Sequence, residues 1–358
     1  MKNRLQAIAK RHSELERMMA DPDVVSDSRR RQKIGREYAD LQRVVSLTSE
    51  LEKAGAELSD LKELLDGESD QEVVEMAREE SAGLEQRTAD LQGDIEIALL
   101  PKDAAEHADA IVEIRAGAGG DEAGLFAAQL VRMYQRYSES RGWKFSIQNS
   151  NETGVGGIKE AIFQVQGGGA YSRLKLESGV HRVQRVPVTE SQGRIHTSTA
   201  TVAVLPKAEE IDIEIKQEDL RIDVYHSGGA GGQNVNKVAT AIRITHEPSG
   251  IVVQAQKERS QNQNRQVAME ELRARLWDQE LKKQQEEISA NRRAQVGTGD
   301  RSEKIRTYNF QQGRVTDHRI HLTSHNLAAI MEGNLDEFID ALIREEQALK
   351  LAAVTADG

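Results

Sequence analysis

One stretch limits this chain more than any other: Ser227-Gly228-Gly229-Ala230-Gly231-Gly232-Gln233, followed by Asn234-Val235-Asn236-Lys237. Five of its first seven residues are glycine or alanine. Leu220-Arg221-Ile222-Asp223-Val224-Tyr225 before it alternates as a strand, and Ala239 to Thr245 after it alternates again, so the glycines lie on an exposed strand connection. The loop has no evident nucleophile, since Ser227 has no His beside it in the motif. It offers backbone N–H groups and the Gln233 amide instead. Glycine permits positive φ and close approach, so such a loop can aim bare N–H donors at a developing oxyanion while Gln233 orients a water.

Gly-Gly-Gln by itself arises by chance in roughly one chain of this length in ten, so the tripeptide alone is weak evidence. A phosphate cradle requires Gly, four residues, then Gly-Lys-Ser/Thr, and Lys237 comes too late for any register. In the context Gly-Ala-Gly-Gly-Gln-Asn-Val-Asn, the loop resembles the signature of class I peptide chain release factors and their ribosome-rescue relatives. The resemblance implies that the loop enters the ribosomal peptidyl transferase centre. There Gln233, mainly through its backbone N–H, would stabilise charge on the peptidyl-tRNA ester, its side chain limiting which nucleophile enters, with Gly231 and Gly232 giving the backbone its shape. It also implies N5-methylation of Gln233 by a glutamine methyltransferase.

At 358 residues the chain suits two to four domains, each able to bury a core. It has no cysteine, which excludes disulfides, thiolate metal sites and a Cys nucleophile and fits a reducing cytosol. No apolar run approaches the roughly 20 residues of a membrane span, and no signal-peptide core is evident, so a soluble cytoplasmic protein without membrane contact is expected. A formal charge of −11 argues at first against nucleic acid. Its distribution reverses that: residues 1–100 carry 15 basic and 23 acidic side chains, residues 221–320 carry 17 and 12. An RNA-facing half joined to an acidic half is one meaning, solvated helix faces the other.

Taken in order, residues 1–100 read as helices, with a break at Asp21-Pro22-Asp23, a long helix ending near Asp66-Gly67, and a third helix from Glu72 to Ala98. This charged bundle holds no cluster of catalytic types and reads as an interaction arm. The release-factor resemblance, loosest here, implies an arm near the GTPase-associated region of the ribosome. From residue 101 the texture becomes strand: Ile111-Val112-Glu113-Ile114-Arg115 leads into Gly117-Ala118-Gly119-Gly120-Asp121-Glu122-Ala123-Gly124 and then a helix. This imitates a dinucleotide fingerprint, but Glu122 stands where the third glycine belongs. The loop is similar to the release-factor motif whose helix start meets the first stop-codon base, which implies Gly119 and Glu122 as codon contacts.

Strands are expected at Trp143 to Gln148 and Ala161 to Gln166, and then in a block over 174–205. The run from Glu177 through Ser198 is dense in hydrogen-bonding side chains, with Arg182, Arg185 and Arg194 adding positive charge. A base reader needs groups that tell donor from acceptor and a flat surface for stacking. This run resembles release factors nearly verbatim, and Pro187-Val188-Thr189 fits the Pro-x-Thr tripeptide of the type reading UAG and UAA. The resemblance implies that Thr189 contacts the first and second bases, His196 stacks between second and third, and Gln184 and Thr197 meet the third.

A strand at Ile251 to Gln256 and a helix to about Ala294 follow, whose Arg259, Arg265, Arg273, Arg275, Lys282 and Lys283 either track RNA phosphates or line a solvated face beside Glu270, Glu271, Glu286 and Glu287. A segment from Gly297 to Ile320, which in the family returns to the reading domain, precedes an acidic helix, Leu335 to Leu351. The expected fold is therefore multi-domain α+β: a helical arm (1–100), a mixed α/β codon-reading domain (101–210), an α+β Gly-Gly-Gln domain (211–294), and a C-terminal segment (295–358) completing the reading domain.

The partners implied are both ribosomal subunits, a UAG or UAA stop codon on mRNA, P-site peptidyl-tRNA, the methyltransferase and a release-factor GTPase. No cofactor or metal is implied, and hydrolysis occurs within the ribosome rather than in a stand-alone enzyme. Three places depart from the family pattern: His226-Ser227-Gly228-Gly229 replaces an Arg-led stretch, Lys237-Val238-Ala239-Thr240 resembles rescue factors, and Gln311 replaces a usual Pro. A codon-independent rescue hydrolase would lack the reading block and long arm present here. A non-catalytic RNA-binding adaptor would bind ribosomes without releasing peptide.

Overall fold

Helical periodicity in the first hundred residues is realised as α1 (Lys2–Met19), α2 (Pro22–Ser26), α3 (Ser28–Gly67) and α4 (Gln71–Ala98) in a computed structural model. That structure describes residues 2–67, 70–100, 104–154, 156–187, 190, 193–208, 213, 215–226, 239–297 and 299–356. α2 starts where Asp21 accepts from the Asp23 N–H at 3.0 Å with Pro22 in the first turn, where its missing N–H costs nothing. Asp70 caps α4 the same way, through the Glu72 N–H at 3.0 Å. Leu15, Val24 and Ile34 form a core that Met18, Tyr38 and Leu41 extend. His12 stacks on Tyr38 at 4.4 Å and donates to Gln42 Oε1 at 2.7 Å, so this buried ring is a satisfied structural histidine. Residues 1–103 with 342–358 make one compact unit, and residues 104–341 another.

The second unit is built on β1 (Ala110–Ala116), α5 (Asp121–Ser140), β2 (Lys144–Glu152), β3 (Ile158–Gln166), α6 (Ala170–Leu174), β4 (Gly179–Arg185), β5 (His196–Pro206), β6 (Leu220–Tyr225), β7 (Ala241–His246), β8 (Ile251–Ala255), α7 (Gln261–Val296), β9 (Lys304–Asn309), β10 (Arg314–Asp317), β11 (Leu322–Ser324), α8 (Leu327–Met331) and the start of α9 (Asp336–Ala356), whose residues from Leu342 onward belong to the first unit. Its larger sheet has the order β11-β10-β9-β4-β5-β1-β3-β2, with every neighbouring pair antiparallel except β4 and β9. Period-two alternation puts Val112 opposite Phe163 and Val204, and Ile114 opposite Ala161 and Val202, on one buried face. α5 covers that face with Phe126, Leu130, Met133 and Tyr134, all fully buried.

The parallel strand β9 joins from far along the chain, bringing Tyr308 opposite Val183 and Arg306 opposite His181. β4 begins at Gly179, opposite Val202, which leaves the edge of β5 open past that point. The Gln295 amide fills that edge, donating to Val204 O and accepting from the Val204 N–H, both at 3.0 Å. In the smaller sheet, β6-β7-β8, Ile242, Ile244, Val253 and Ala255 pack against Ala268 and Leu272 of α7. Buried Asn264 pins the start of α7: it donates to Thr240 O at 2.8 Å and Glu258 O at 3.0 Å, and accepts from the Glu258 N–H at 3.0 Å.

Several elements differ from the sequence expectation, among them α2, which starts at Pro22 where a break was expected. The block expected as strand from residue 174 begins instead with the end of α6 and a 3-10 turn, Lys175–Glu177, which aims the Glu177 carboxylate into the core. α8 was not anticipated, because five residues are too few to show a helical period. The chain is a multi-domain α+β protein.

Candidate codon-reading site

The glycine loop between β1 and α5 is laced to the start of β5. Gly117 N–H donates to Thr199 O at 2.8 Å, Ala118 N–H to Thr199 Oγ1 at 2.9 Å, and Thr199 N–H returns to Ala118 O at 2.9 Å. Gly119 has φ 135°, and a Cβ there would overlap Ser198 Oγ, so the position demands glycine on both grounds. Gly120 then caps α5 with no side chain: the Ala123 and Gly124 N–H groups donate to Gly120 O at 3.1 and 3.3 Å, and those of Asp121 and Glu122 are left to outside acceptors. The close approach of loop and strand creates a cavity of about 340 Å³ lined by Gly119, Ile195, His196, Thr197, Ser198 and Arg301. Three of the sequence-predicted residues, Gly119, His196 and Thr197, therefore share one wall.

Gln184 and Thr197 face each other across the β4–β5 ladder, and Arg185 faces His196. Such cross-strand partners stand about 5 Å apart, close enough to engage one ligand group. Asn309 Nδ2 donates to Gln184 Oε1 at 3.4 Å, tying this wall to β9. His196 is half exposed, with Nε2 2.9 Å from Glu190 Oε2. A carboxylate only accepts, so Nε2 bears the proton. Glu190 is itself held by its N–H donating to Pro187 O at 3.1 Å, and its side chain is buried. Val188 and Thr189, and the loop residues Gly231, Gly232 and Gln233, lie outside the described residues.

Glu122 sits in the first turn of α5 but is buried. One oxygen is paired with Arg185 Nε, and the other, Oε2, has no partner among the described residues. Arg185 also donates to Gln129 Oε1 at 2.6 Å and lies 5.0 Å from the Phe310 ring centroid. Arg182 donates to Thr307 Oγ1 at 3.1 Å. Of the positive charge that the sequence suggested here, that of Arg185 is paired internally, Arg182 bonds a neutral hydroxyl, and the exposed Arg194 stands 3.5 Å from Glu190 Oε2. Sequence reasoning missed Glu190 and Arg301 as neighbours of the site; neither carries a local signal. Among the described residues no cluster of His, Asp or Glu could hold a metal ion.

Behind this wall lies a charged core. Arg306 donates to Glu177 Oε2 at 2.7 Å and Oε1 at 2.8 Å, and to Asp317 Oδ2 at 3.0 Å from the same guanidinium, with all three side chains fully buried. Tyr134 O–H donates to Glu177 Oε2 at 3.0 Å. Burial alone would raise the Glu177 and Asp317 carboxyls; for Glu177 the Arg306 charge, and for Asp317 the hydrogen bond from Arg319 with the Arg306 charge behind it, hold them below the ordinary range. The network ties the turn after α6 to β9 and β10, which fixes the strand bearing Gln184.

Two family models match this sequence: a PCRF domain over residues 8–202 and an RF-1 domain over residues 209–319. Peptide chain release factor 1 of Carboxydothermus hydrogenoformans is 52% identical over 354 residues, covering 99% of each chain. The chain belongs to the peptide chain release factor 1 family. The same factor of Desulforudis audaxviator is 53% identical over 348 residues, covering 97% of this chain and 98% of its own. A solved structure, RF2 of Thermus thermophilus, is 34% identical, covering 93% of each chain at TM-score 0.47. This release factor terminates translation at stop codons, and its place of action is the ribosome. No described helix is long and apolar enough to cross a membrane.

Proposed function

We propose that this release factor reads UAG and UAA in the ribosomal A site and there promotes hydrolysis of the P-site peptidyl-tRNA ester. The observation that carries codon reading is the cavity joining Gly119, His196 and Thr197, with Gln184 across the ladder from Thr197. Free N–H groups at the start of α5 suit the carbonyl acceptors of a first-position uracil. The exposed His196 ring, anchored by one edge to Glu190, keeps its faces available for stacking. An amide and a hydroxyl can each donate or accept, so Gln184 and Thr197 accommodate adenine or guanine at the third position. Thr189, with Pro187 and Val188 beside it, contacts the first two bases. Glu122 contributes by supporting the helix start, through its pairing with Arg185.

In the peptidyl transferase centre, water attacks the ester carbonyl carbon, and the Gln233 N–H stabilises the oxyanion that forms. The bond to the tRNA 3′ oxygen breaks, that oxygen takes a proton, and the peptide leaves with a new carboxylate. Gly231 and Gly232 shape the backbone, and the Gln233 side chain, methylated at N5 by a glutamine methyltransferase, restricts the nucleophile to water. The protein is not a stand-alone enzyme: the ribosome supplies the rest of the site. Residues 1–100 act as a helical arm, 101–210 with 295–358 as the reading domain, and 211–294 as the hydrolysis domain, in the cytoplasm, with a release-factor GTPase completing the cycle.

Two variants test the backbone role. Gln233→Pro removes the N–H itself, and Gly232→Ala narrows the backbone beside it; both should abolish release and leave codon-dependent ribosome binding near wild type. Loss of one aligned donor costs on the order of 10² to 10³ in rate. Retained release by the Pro variant would refute it.

A further inference from the structure

The hydrolysis domain carries a second concavity that the codon and the ester do not use. A groove of about 780 Å³ runs between α7 and the segment leading into β6, floored by Ile215, Leu220 and Met269 and walled by Gln266, Arg265 and Arg273. Its charge is unbalanced. Other cations of α7 are matched by carboxylates: Arg275 with Glu271 at 2.6 Å, Lys282 with Asp278 at 2.8 Å and Lys283 with Glu280 at 3.9 Å, while Arg293 donates to Ser289 O at 3.2 Å. Arg265 and Arg273 have no carboxylate partner among the described residues, and the acid in the groove, Glu270, accepts from Gln266 Nε2 at 3.2 Å. One helical turn past Arg273, on the same flank, the indole of Trp277 stands half exposed. A large aromatic left in water beside unpaired arginines and side-chain amides has the make-up of a single-stranded nucleic-acid platform: cations for phosphates and a π face for a base.

We propose that this groove docks an unpaired segment of ribosomal RNA, its phosphates on Arg265 and Arg273 and one base stacked on Trp277. The proposal rests on the reading that the chain works on the ribosome. From Asn262 to Trp277 the helix rises roughly 22 Å. Asn264, near the start of that span, is bonded to Thr240, close after the catalytic loop in sequence. The acceptor end of the peptidyl-tRNA is taken up by the loop itself, so the strand reaching Trp277 is ribosomal RNA. The local charge agrees: residues 221–320 carry 17 basic against 12 acidic side chains within a chain of net charge −11. The groove thus anchors the hydrolysis domain independently of the codon.

The test uses the full-length protein and ribosomes carrying initiator tRNA and a UAA codon. Binding is titrated at several KCl concentrations for wild type, Arg273→Gln, Trp277→Ala and Trp277→Phe; all three changes are at exposed positions, and circular dichroism checks that each variant keeps the fold. Trp277→Ala should weaken binding about tenfold, with Trp277→Phe keeping most of it. Arg273→Gln should lower the slope of log affinity against log salt by about 0.7, the value for one single-strand phosphate. A photo-crosslinker at position 277 should capture ribosomal RNA. Unchanged binding by both Trp277→Ala and Arg273→Gln, or a crosslink to tRNA or to a ribosomal protein, overturns the proposal. If wild type fails to release peptide at UAA while these variants still weaken binding, the termination reading falls and the groove stands.

Discussion

The Arg306 guanidinium holds the Glu177 carboxylate by two parallel hydrogen bonds, 2.7 and 2.8 Å long, with neither side chain exposed. The pair joins β9 to the turn after α6, across 129 positions of sequence. A buried pair is weak evidence for stability in itself, but removing one partner leaves an uncompensated charge. Arg306→Met should lower the unfolding free energy by about 3–5 kcal/mol. Glu177→Gln combined with Arg306→Met should cost less than the sum of the two single changes. Urea denaturation of the four proteins checks both statements.

Stability should also depend on acid in a defined window. His181 Nε2 donates to Glu177 O at 2.9 Å, so Nδ1 accepts from Tyr308 O–H at 3.2 Å, and the ring is neutral. Burial, with Arg306 behind it, pushes the imidazole pKa down to about 4 from 6.5, against the pull of Glu177. Between these values the unfolded chain binds the extra proton, so stability is fully present above pH 6.5 and declines as pH falls through 4. The loss is at most about tenfold in the folding constant per pH unit. The depressed Glu177 and Asp317 carboxyls extend the decline to lower pH. His181→Gln should flatten the upper part of the profile; an unaltered slope between pH 6.5 and 4.5 in that variant would show that another group is responsible.

Gly119→Ala should act on reading. Its φ of 135° is unfavourable to any side chain, and the new methyl meets Ser198 Oγ. Strain of about 1–3 kcal/mol would push the loop off β5 and open the cavity wall. The expected result is weaker ribosome binding at UAA with the saturated release rate retained, measured by single-turnover peptide release across factor concentrations.

Thr189→Val tests discrimination at the second base. A hydroxyl that accepts from the adenine amino group leaves two groups unpaired when guanine is offered, at about 1–3 kcal/mol each. The valine variant should lose affinity for UAA and UAG far more than it changes at UGA. An equal loss on all three codons would move second-base reading elsewhere.

Much of this architecture follows from local chemistry. The apolar alternation of β1 sets which face α5 covers, and Gly119 and Gly120 carry the positive φ that the turn needs. Gly119, His196 and Thr197 converge because their motifs flank the β1–α5 turn and the start of β5. What stayed hidden depends on long-range pairing. Nothing in Arg306 or Glu177 announces a partner so far away, and the parallel seat of β9 beside β4 leaves no periodic trace. Arg185 reads as surface charge until α5 supplies Glu122 and Gln129. Glu190 is one carboxylate among many until the chain folds it under His196.

Release by this factor should depend on the codon in the A site. Ribosomes carrying formyl-methionyl-tRNA in the P site and UAA, UAG, UGA or a sense codon in the A site give the direct measurement, as formyl-methionine released per unit time at subsaturating factor. Release should be rapid at UAA and UAG, and slower by roughly 10 to 10⁴ at UGA and the sense codon. Equal release on all four codons, or ribosome binding without release on any, would contradict this dependence.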